Sequence, residues 1–474
     1  MISVMIRQFP DSVQKTNTDR LLVNKPIIFF LFLTILLLLG SPAVIHAVQR
    51  FPLPEFTTDY QLPETRTPMP TCATAVENWL AVGCYFIALG LVTWLAIKLR
   101  SRRFLFLAAI GSIALFGFAF QGCPCPVGTT QNVWQTLVDP KYMIPVTMVL
   151  LFFTPLIVTV FYGRTFCAAV CPLGAVQEVI AIKPLQVPAW IDQSLGIFRY
   201  IYLGAAVMFV STGLSYIICR FDPVVPLFRM QGLLSSLIFS ACILLIGVFV
   251  GRPYCRFLCP YGAILGWCAR LSKKHVKVTP GACTNCRLCE NICPYGAIQK
   301  PTERPTVEER KQGPLRLLLL LGLVPVVIAL FGGVGFLSAD AFASLHFDVR
   351  LAGMLRAEEL KIVPELRSFD ETKAFYELGT LVQTQYQRAA EVLQNFHVAA
   401  TILGLWVGLV ISMKMVHLTL RRRREEYRID PGRCVACGRC FWYCPNQKEN
   451  RVFIDEEVVL LSSFSQTEQG SGKR

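Results

Sequence analysis

The chain is 474 residues long, 54% hydrophobic and only 16% charged, with a formal net charge of +15. So apolar a composition lies outside the range of soluble globular domains and excludes an ordinary soluble enzyme. In such a chain the basic excess reads as membrane topology and attraction to a lipid surface, and no nucleic acid partner is expected.

Windows of about 19 residues with few or no charges mark helices able to cross about 30 Å of hydrocarbon. Eight are expected, at 26–47, 79–97, 104–121, 143–162, 198–218, 232–250, 315–337 and 398–419. The first carries a basic leader and the small residues Ser41-Pro42-Ala43, which also suit a signal peptide. Its apolar run is longer than a usual signal core and favours an uncleaved anchor. Bases collect after the second, sixth and eighth spans, as Lys98, Arg100, Arg102 and Arg103, then Arg270, Lys273, Lys274 and Lys277, then Arg421 to Arg424. Loop 338–396, by contrast, has nine acidic residues against six basic ones. Bases are retained on the cytoplasmic side, so both termini are expected there, in a bacterial-type inner membrane, with loop 338–396 outside.

Following the chain, the first cysteines to stand out are Cys123 and Cys125 in a C-P-C-P run, with Cys72, Cys84 and Cys219 expected near the same outer membrane face. There they suit disulfides, or a metal or electron-exit site. Next comes an internal repeat. Gly163-Arg164-Thr165-Phe166-Cys167-x3-Cys171-Pro172-Leu173-Gly174-Ala175 recurs as Gly251-Arg252-Pro253-Tyr254-Cys255-x3-Cys259-Pro260-Tyr261-Gly262-Ala263. Cysteines four apart share a helical face, so Cys167, Cys171, Cys255 and Cys259 could offer four thiolates at one point as an additional redox or metal site. The alternative reading is that they are small buried apolar residues beside a helix-ending proline.

Eight of the nineteen cysteines form two runs of C-x2-C-x2-C-x3-C-P, namely Cys283, Cys286, Cys289 and Cys293 before Pro294, and Cys434, Cys437, Cys440 and Cys444 before Pro445. This is the bacterial ferredoxin signature for [4Fe–4S] clusters, and zinc sites use cysteine pairs with a longer gap. Two clusters are expected. Two-cluster ferredoxins exchange their fourth ligands. Here that would group Cys283, Cys286 and Cys289 with Cys444, and Cys434, Cys437 and Cys440 with Cys293. Two independent loops are the alternative.

The expected organisation is therefore mostly α: a polytopic bundle of about eight spans with a cytoplasmic two-cluster ferredoxin-like domain. Its parts are an N-terminal tail 1–25, a membrane bundle 26–270, a first ferredoxin-type motif 271–313, a membrane hairpin 314–420, a second motif 421–461 and a disordered tail 462–474. The hairpin carries an external helical loop, 338–397. In it Phe375, Leu378, Val382, Tyr386, Ala389, Leu393 and Phe396 recur at helical spacing, as a packing stripe or a docking face for an external partner. His397 and His417 lie on one span with no histidine facing them, which argues against a bis-histidine haem. Gly332-Gly333-x-Gly335 has no preceding strand, so it is no dinucleotide fingerprint.

On these motifs the chain resembles the NapH/NosR-type membrane polyferredoxins, typified by a quinol dehydrogenase subunit of periplasmic nitrate reductase and by the C-terminal part of a nitrous-oxide reductase regulator. The resemblance covers about 104–300 and 425–450. The chain departs from the first type in splitting its ferredoxin motifs with a membrane hairpin, and from the second in lacking a large external flavin-binding domain. The resemblance implies quinol-linked electron transfer, as the membrane subunit of a quinol dehydrogenase, or an accessory role in metalloenzyme maturation or regulation. It also implies a quinone and a redox partner protein beside the lipid bilayer.

Overall fold

The computed structural model of the chain describes residues 75–122, 125–139, 142, 144–182, 184–230, 234–277, 286–302, 307–359, 372, 375–376, 379, 381–420, 424 and 426–444. They are mostly helical. Five helices among them are long and apolar enough to cross a membrane: Trp79–Leu99, Arg102–Ala119, Ala189–Ser211, Arg316–Leu337 and Val382–Thr419. Two shorter apolar helices, Val146–Tyr162 and Leu234–Phe249, fall on two further expected spans. The run 26–47 lies outside the described residues.

The two short helices have a common cause. Val146–Tyr162 has 17 residues, about 26 Å of rise, and ends where Gly163 takes φ 75°. Leu234–Phe249 has 16 residues and stops just before the equivalent Gly251-Arg252-Pro253. In each copy of the repeat the chain then makes a π-helical turn, Phe166–Val170 or Tyr254–Leu258. An extended cysteine follows, Cys171 or Cys259, and then a new helix with proline in its first turn, Pro172–Ile180 or Pro260–Arg270. Proline is tolerated there because its missing N–H has no partner to lose. Both copies are thereby folded back into the bundle, and Cys167, Cys171 and Cys259 are buried. An aromatic layer packs beneath them: Phe166 against Tyr85 at 5.9 Å and against Tyr261 at 6.2 Å.

Val307–Leu337 and Val382–Thr419 form a close antiparallel hairpin. Contact is at the backbone, because Gly335, Gly404 and Gly408 lie on the facing sides; a Cβ on Gly408 would meet Ile328 Cα at 2.8 Å. Small residues let helices approach so that dispersion and Cα–H contacts replace the hydrophobic drive that lipid does not supply. Beyond this pair, Leu351, Leu355 and Phe375 pack on Val382 and Tyr386. Ala389 and Phe396 are buried too, so most of the described stripe faces inward as packing; Leu378 lies outside the described residues.

The hairpin returns the chain to where it left. Ile298–Gln299 and Arg428–Ile429 pair antiparallel, with Ile298 opposite Ile429, and the short helices Leu288–Ile292 and Arg439–Trp442 pack together. Two segments about 140 residues apart thus form one small unit. Gly404→Val is expected to cost about 1–3 kcal/mol by overpacking, since its side chain would collide with the Phe331 carbonyl, while Gly333→Ala, with open space around it, is expected to be neutral. Thermal unfolding of the detergent-solubilised variants, followed by circular dichroism, reads the difference.

Candidate functional site

The paired unit encloses a cavity lined by Cys293 from the first run and by Cys434, Cys437 and Cys440 from the second. Val276, Ile298, Ile429 and Val435 supply apolar wall. Left-handed backbone at Ala436 (φ 53°) and Gly438 (φ 75°) coils the loop around the space, and Ala436 N–H donates to Cys434 Sγ at 3.4 Å. Arg287, in the position equivalent to Gly438, repeats the left-handed turn with φ 60°. Burial pushes the Cys434 thiol up to about 12. It also raises Cys293, with Cys437 adding to the effect, and Cys440, whose thiol neighbours are Cys434, Cys437, Cys293 and Cys289. Backbone N–H groups of Ala297, Tyr295 and Ile298 oppose the rise at Cys293.

Four thiols crowded into a dry pocket disfavour their own ionisation, and a bound cationic centre reverses that preference. An all-sulfur donor set with apolar walls and N–H groups turned toward sulfur fits a [4Fe–4S] cluster. Among the described residues no three Cys, His, Asp or Glu side chains form a group able to hold a single metal ion. Of the other ferredoxin cysteines, Cys286 is exposed, Cys289 buried and Cys444 half-buried, and Cys283 lies outside the described residues.

Next to this cavity lies the repeat. Cys255 lies within electrostatic reach of Cys167, Cys171 and Cys259, so the four repeat thiols occupy one region of the bundle without forming a compact metal-holding group among the described residues. Burial raises Cys255 to about 11 and also pushes Cys171 and Cys259 well above the ordinary thiol range. Donors surround the set: Arg164 Nη2 to Cys167 Sγ at 3.7 Å, Gln177 Nε2 to Cys255 Sγ at 3.5 Å and Gly262 N–H to Cys259 Sγ at 3.2 Å. Arg252 of the second copy crosses to the first and donates to the carbonyls of Cys167 and Ala168. Gly174 and Gly262 occupy equivalent places, each with the other copy's arginine within 3.4 Å of where a Cβ would be.

Glu178 locks the two thiol sets together. It is buried, and its carboxylate meets Arg102 at 2.5 Å, Arg439 at 2.7 Å and Arg252 at 3.1 Å, with Tyr295 O–H donating at 2.7 Å. Burial alone would push this carboxyl up, but Arg439, Arg102, Arg252 and the Tyr295 hydroxyl outweigh it and hold it well below the usual carboxylate range. Arg102 also donates to the Cys437 carbonyl at 2.8 Å. Asp192 repeats the device, accepting Arg256 at 2.6 Å and Arg433 at 2.7 Å, while Arg256 also donates to the Pro294 carbonyl at 2.6 Å. Neither acid has a spacing signal in the sequence.

The remaining expected positions lie apart. Cys125 directly precedes the helix Pro126–Val138 without a side-chain capping bond and lies within electrostatic reach of Asp222 and Arg229. Cys219 is close to Gly128, Cys84 is half-buried on the first described helix, and Cys123 and Cys72 lie outside the described residues. His397 Nε2 faces the Asp340 carboxylate at 3.2 Å and its ring packs at a tilt against Phe336 at 4.9 Å, a local tie in the hairpin.

Three family models, each described as a 4Fe-4S binding domain, match the chain: one over 144–186, 233–279 and 289–308, one over 275–298 and one over 427–447. The first takes in the repeat cysteines. Protein NirI of Paracoccus denitrificans is 31% identical over 29% of this chain. YccM of Escherichia coli, whose name assigns it provisionally to electron transport, is 25% identical over 39%, and the regulatory protein NosR of Stutzerimonas stutzeri is 27% identical over 32%. The chain spans 22%, 56% and 23% of these relatives' own lengths. No solved structure matches it. The chain is related to the NapH/NosR-type membrane ferredoxin-like proteins.

Glu178→Gln leaves three guanidinium groups, Arg252 buried and Arg102 and Arg439 half-buried, around a neutral amide. Loss of one partner of a buried pair costs about 3–5 kcal/mol. The wild-type contribution, from a depressed carboxyl, is fully present above the ordinary glutamate range and is lost as pH falls through the lower native value. The variant is therefore expected to unfold at lower temperature at neutral pH, with the gap to wild type closing in strong acid. Melting curves across that pH series decide it.

Proposed function

We propose that the chain is a membrane-bound electron carrier that relays electrons between a quinone pool and a partner oxidoreductase. Cys293, Cys434, Cys437 and Cys440 hold one [4Fe–4S] cluster, and Cys283, Cys286, Cys289 and Cys444 hold a second. Cys167, Cys171, Cys255 and Cys259 form a third redox or metal site at the membrane surface. The paired ferredoxin unit faces the cytoplasm, and the loop 338–397 faces outward. One observation carries this reading: Cys293 shares a cavity with cysteines of a run about 140 residues away.

Iron–sulfur clusters supply one-electron transfer, which suits the division of a quinol's electron pair. The protein's own part is to exclude water, orient sulfur and offset charge. Val276, Ile298, Ile429 and Val435 keep the first site dry. The positive excess around Glu178, three arginines against one carboxylate, offsets the negative charge that thiolate ligands and added electrons bring. Arg252 senses both Cys255 and Cys437, so it stands between the two thiol sets, where one charge acts on both. A role in maturation or regulation is the second reading, favoured by the regulatory name of the relative NosR.

Paramagnetic resonance after anaerobic reduction with a quinol analogue tests both parts. Wild type is expected to show two reduced-cluster signals, with Cys293→Ser and Cys434→Ser removing the same one and Cys286→Ser the other. If Cys293→Ser and Cys286→Ser remove the same signal, each run holds its own cluster. Clusters that dithionite reduces but the quinol analogue does not would favour the accessory role.

A further inference from the structure

Two cysteines at the other end of the bundle belong to neither thiol set. The helix Arg102–Ala119 starts where Arg102 donates to the Cys437 carbonyl, and Cys125 follows its far end. The carbonyl of Cys125 is fixed on the first turn of the helix Pro126–Val138, where it accepts from Thr129 N–H at 3.4 Å and from the Thr129 hydroxyl at 3.1 Å. Cys219 lies on the short turn Ile217–Arg220, which is fastened to the same helix. The buried Gln131 takes Ile218 N–H on its Oε1 at 2.8 Å and donates from Nε2 to the Ala206 carbonyl at 3.2 Å. Tyr202 O–H adds a bond to the Ile217 carbonyl at 3.2 Å.

Gly128 is common to both thiols. A Cβ built on it would stand 3.7 Å from Cys219 Sγ, and it lies one helical turn beyond Cys125, where residues are about 5–6 Å apart. Both sulfurs therefore border the space that a side chain at 128 would fill. A disulfide joins Cα atoms about 4.4–6.8 Å apart, so that space is of the size a bond between them needs. Cys125 and Cys219 are each half-buried, which leaves them open to attack from outside. Beside them is Asp222, which is buried and accepts from Val224 N–H at 3.1 Å. Burial raises its carboxyl to about 6. Burial likewise pushes the Cys125 thiol up to about 12, with the Asp222 charge adding to the rise and the N–H groups of Gly128 and Val127 opposing it. A carboxyl that titrates near neutrality can take the proton that such a thiol must lose before it reacts.

We propose that Cys125 and Cys219 form a reversible dithiol–disulfide pair that exchanges with a protein disulfide on the side of the membrane opposite the ferredoxin-type unit. In the exchange the two thiols give two electrons and two protons to the partner's disulfide, which leaves as a dithiol, and the Cys125–Cys219 bond forms; the reverse reaction restores both thiols. Asp222 takes the proton of Cys125 and returns it to the departing partner thiolate. The pair is independent of the cluster reading and would stand if that reading failed.

The test equilibrates the full chain in mild detergent with oxidised or reduced thioredoxin as the probe, blocks the remaining thiols with N-ethylmaleimide and maps tryptic peptides by mass spectrometry. Trypsin releases Cys125 on peptide 104–141 and Cys219 on peptide 200–220, so a bond between them is read directly. Wild type is expected to show the linked peptides with oxidised thioredoxin and to lose them by about tenfold or more with reduced thioredoxin. Cys123→Ser, which removes the other cysteine of the first peptide, should behave as wild type, and Cys125→Ser and Cys219→Ser should each abolish the link. Far-ultraviolet circular dichroism establishes that each variant is folded, and wild type and Cys123→Ser carry the test if a site variant is not. No link with either probe, a link that survives in Cys125→Ser and disappears in Cys123→Ser, or a link that reduced thioredoxin does not reverse would overturn the proposal, the last by making the bond a permanent structural one.

Discussion

A single buried carboxylate holds the functional half of this protein in register. Glu178 gathers Arg102 from a long apolar helix, Arg252 from the second copy of the repeat, and Tyr295 and Arg439 from the two ferredoxin-type runs. Withdrawing this carboxylate from its partners would leave charge buried without compensation, so the contact resists separation of the elements it joins. The thiol sets on either side therefore cannot drift apart without exposing or orphaning a charge. Asp192 makes a second such tie, joining Arg256 of the repeat to Arg433 of the second run.

The fold around this tie repeats one idea. Two short apolar helices end at a glycine-arginine step, make a π-helical turn and restart on a proline, and each copy sends its arginine into the other. The ferredoxin-type halves repeat the pairing one layer further out, with equivalent left-handed residues at Arg287 and Gly438 and a two-residue sheet between them. Separating those halves by a membrane hairpin costs little loop entropy, because the hairpin is itself a tight pair of helices closed on Gly335, Gly404 and Gly408.

Much of this could be read from the residues in advance, where the signal was periodic. The apolar runs at 79–97, 104–121, 315–337 and 398–419 correspond to helices able to cross a membrane, and the cysteine spacing pointed to iron–sulfur binding, which the family matches share. The helix ends were less legible. The run 143–162 begins a helix only at Val146, after Pro145, and the run 198–218 stops being helical at Ser211 because Thr212-Gly213 turns, with Gly213 at φ 69°. Glu178 and Asp192 were not legible at all. A lone acid beside apolar neighbours has no period, and its meaning comes from arginines that are distant in sequence. The stripe from Val382 to Phe396 had the opposite difficulty: its spacing was plain, but which surface it covers is settled only by Leu351, Leu355 and Phe375.

The central claim is that the cysteine runs bind iron–sulfur clusters, and anaerobic iron and acid-labile sulfide analysis of the purified chain tests it most directly. Two ferredoxin-type sites predict about eight iron and eight sulfide per chain, rising toward about twelve of each if the repeat thiols hold a cubane as well. A folded chain that carries zinc and no labile sulfide would contradict the account.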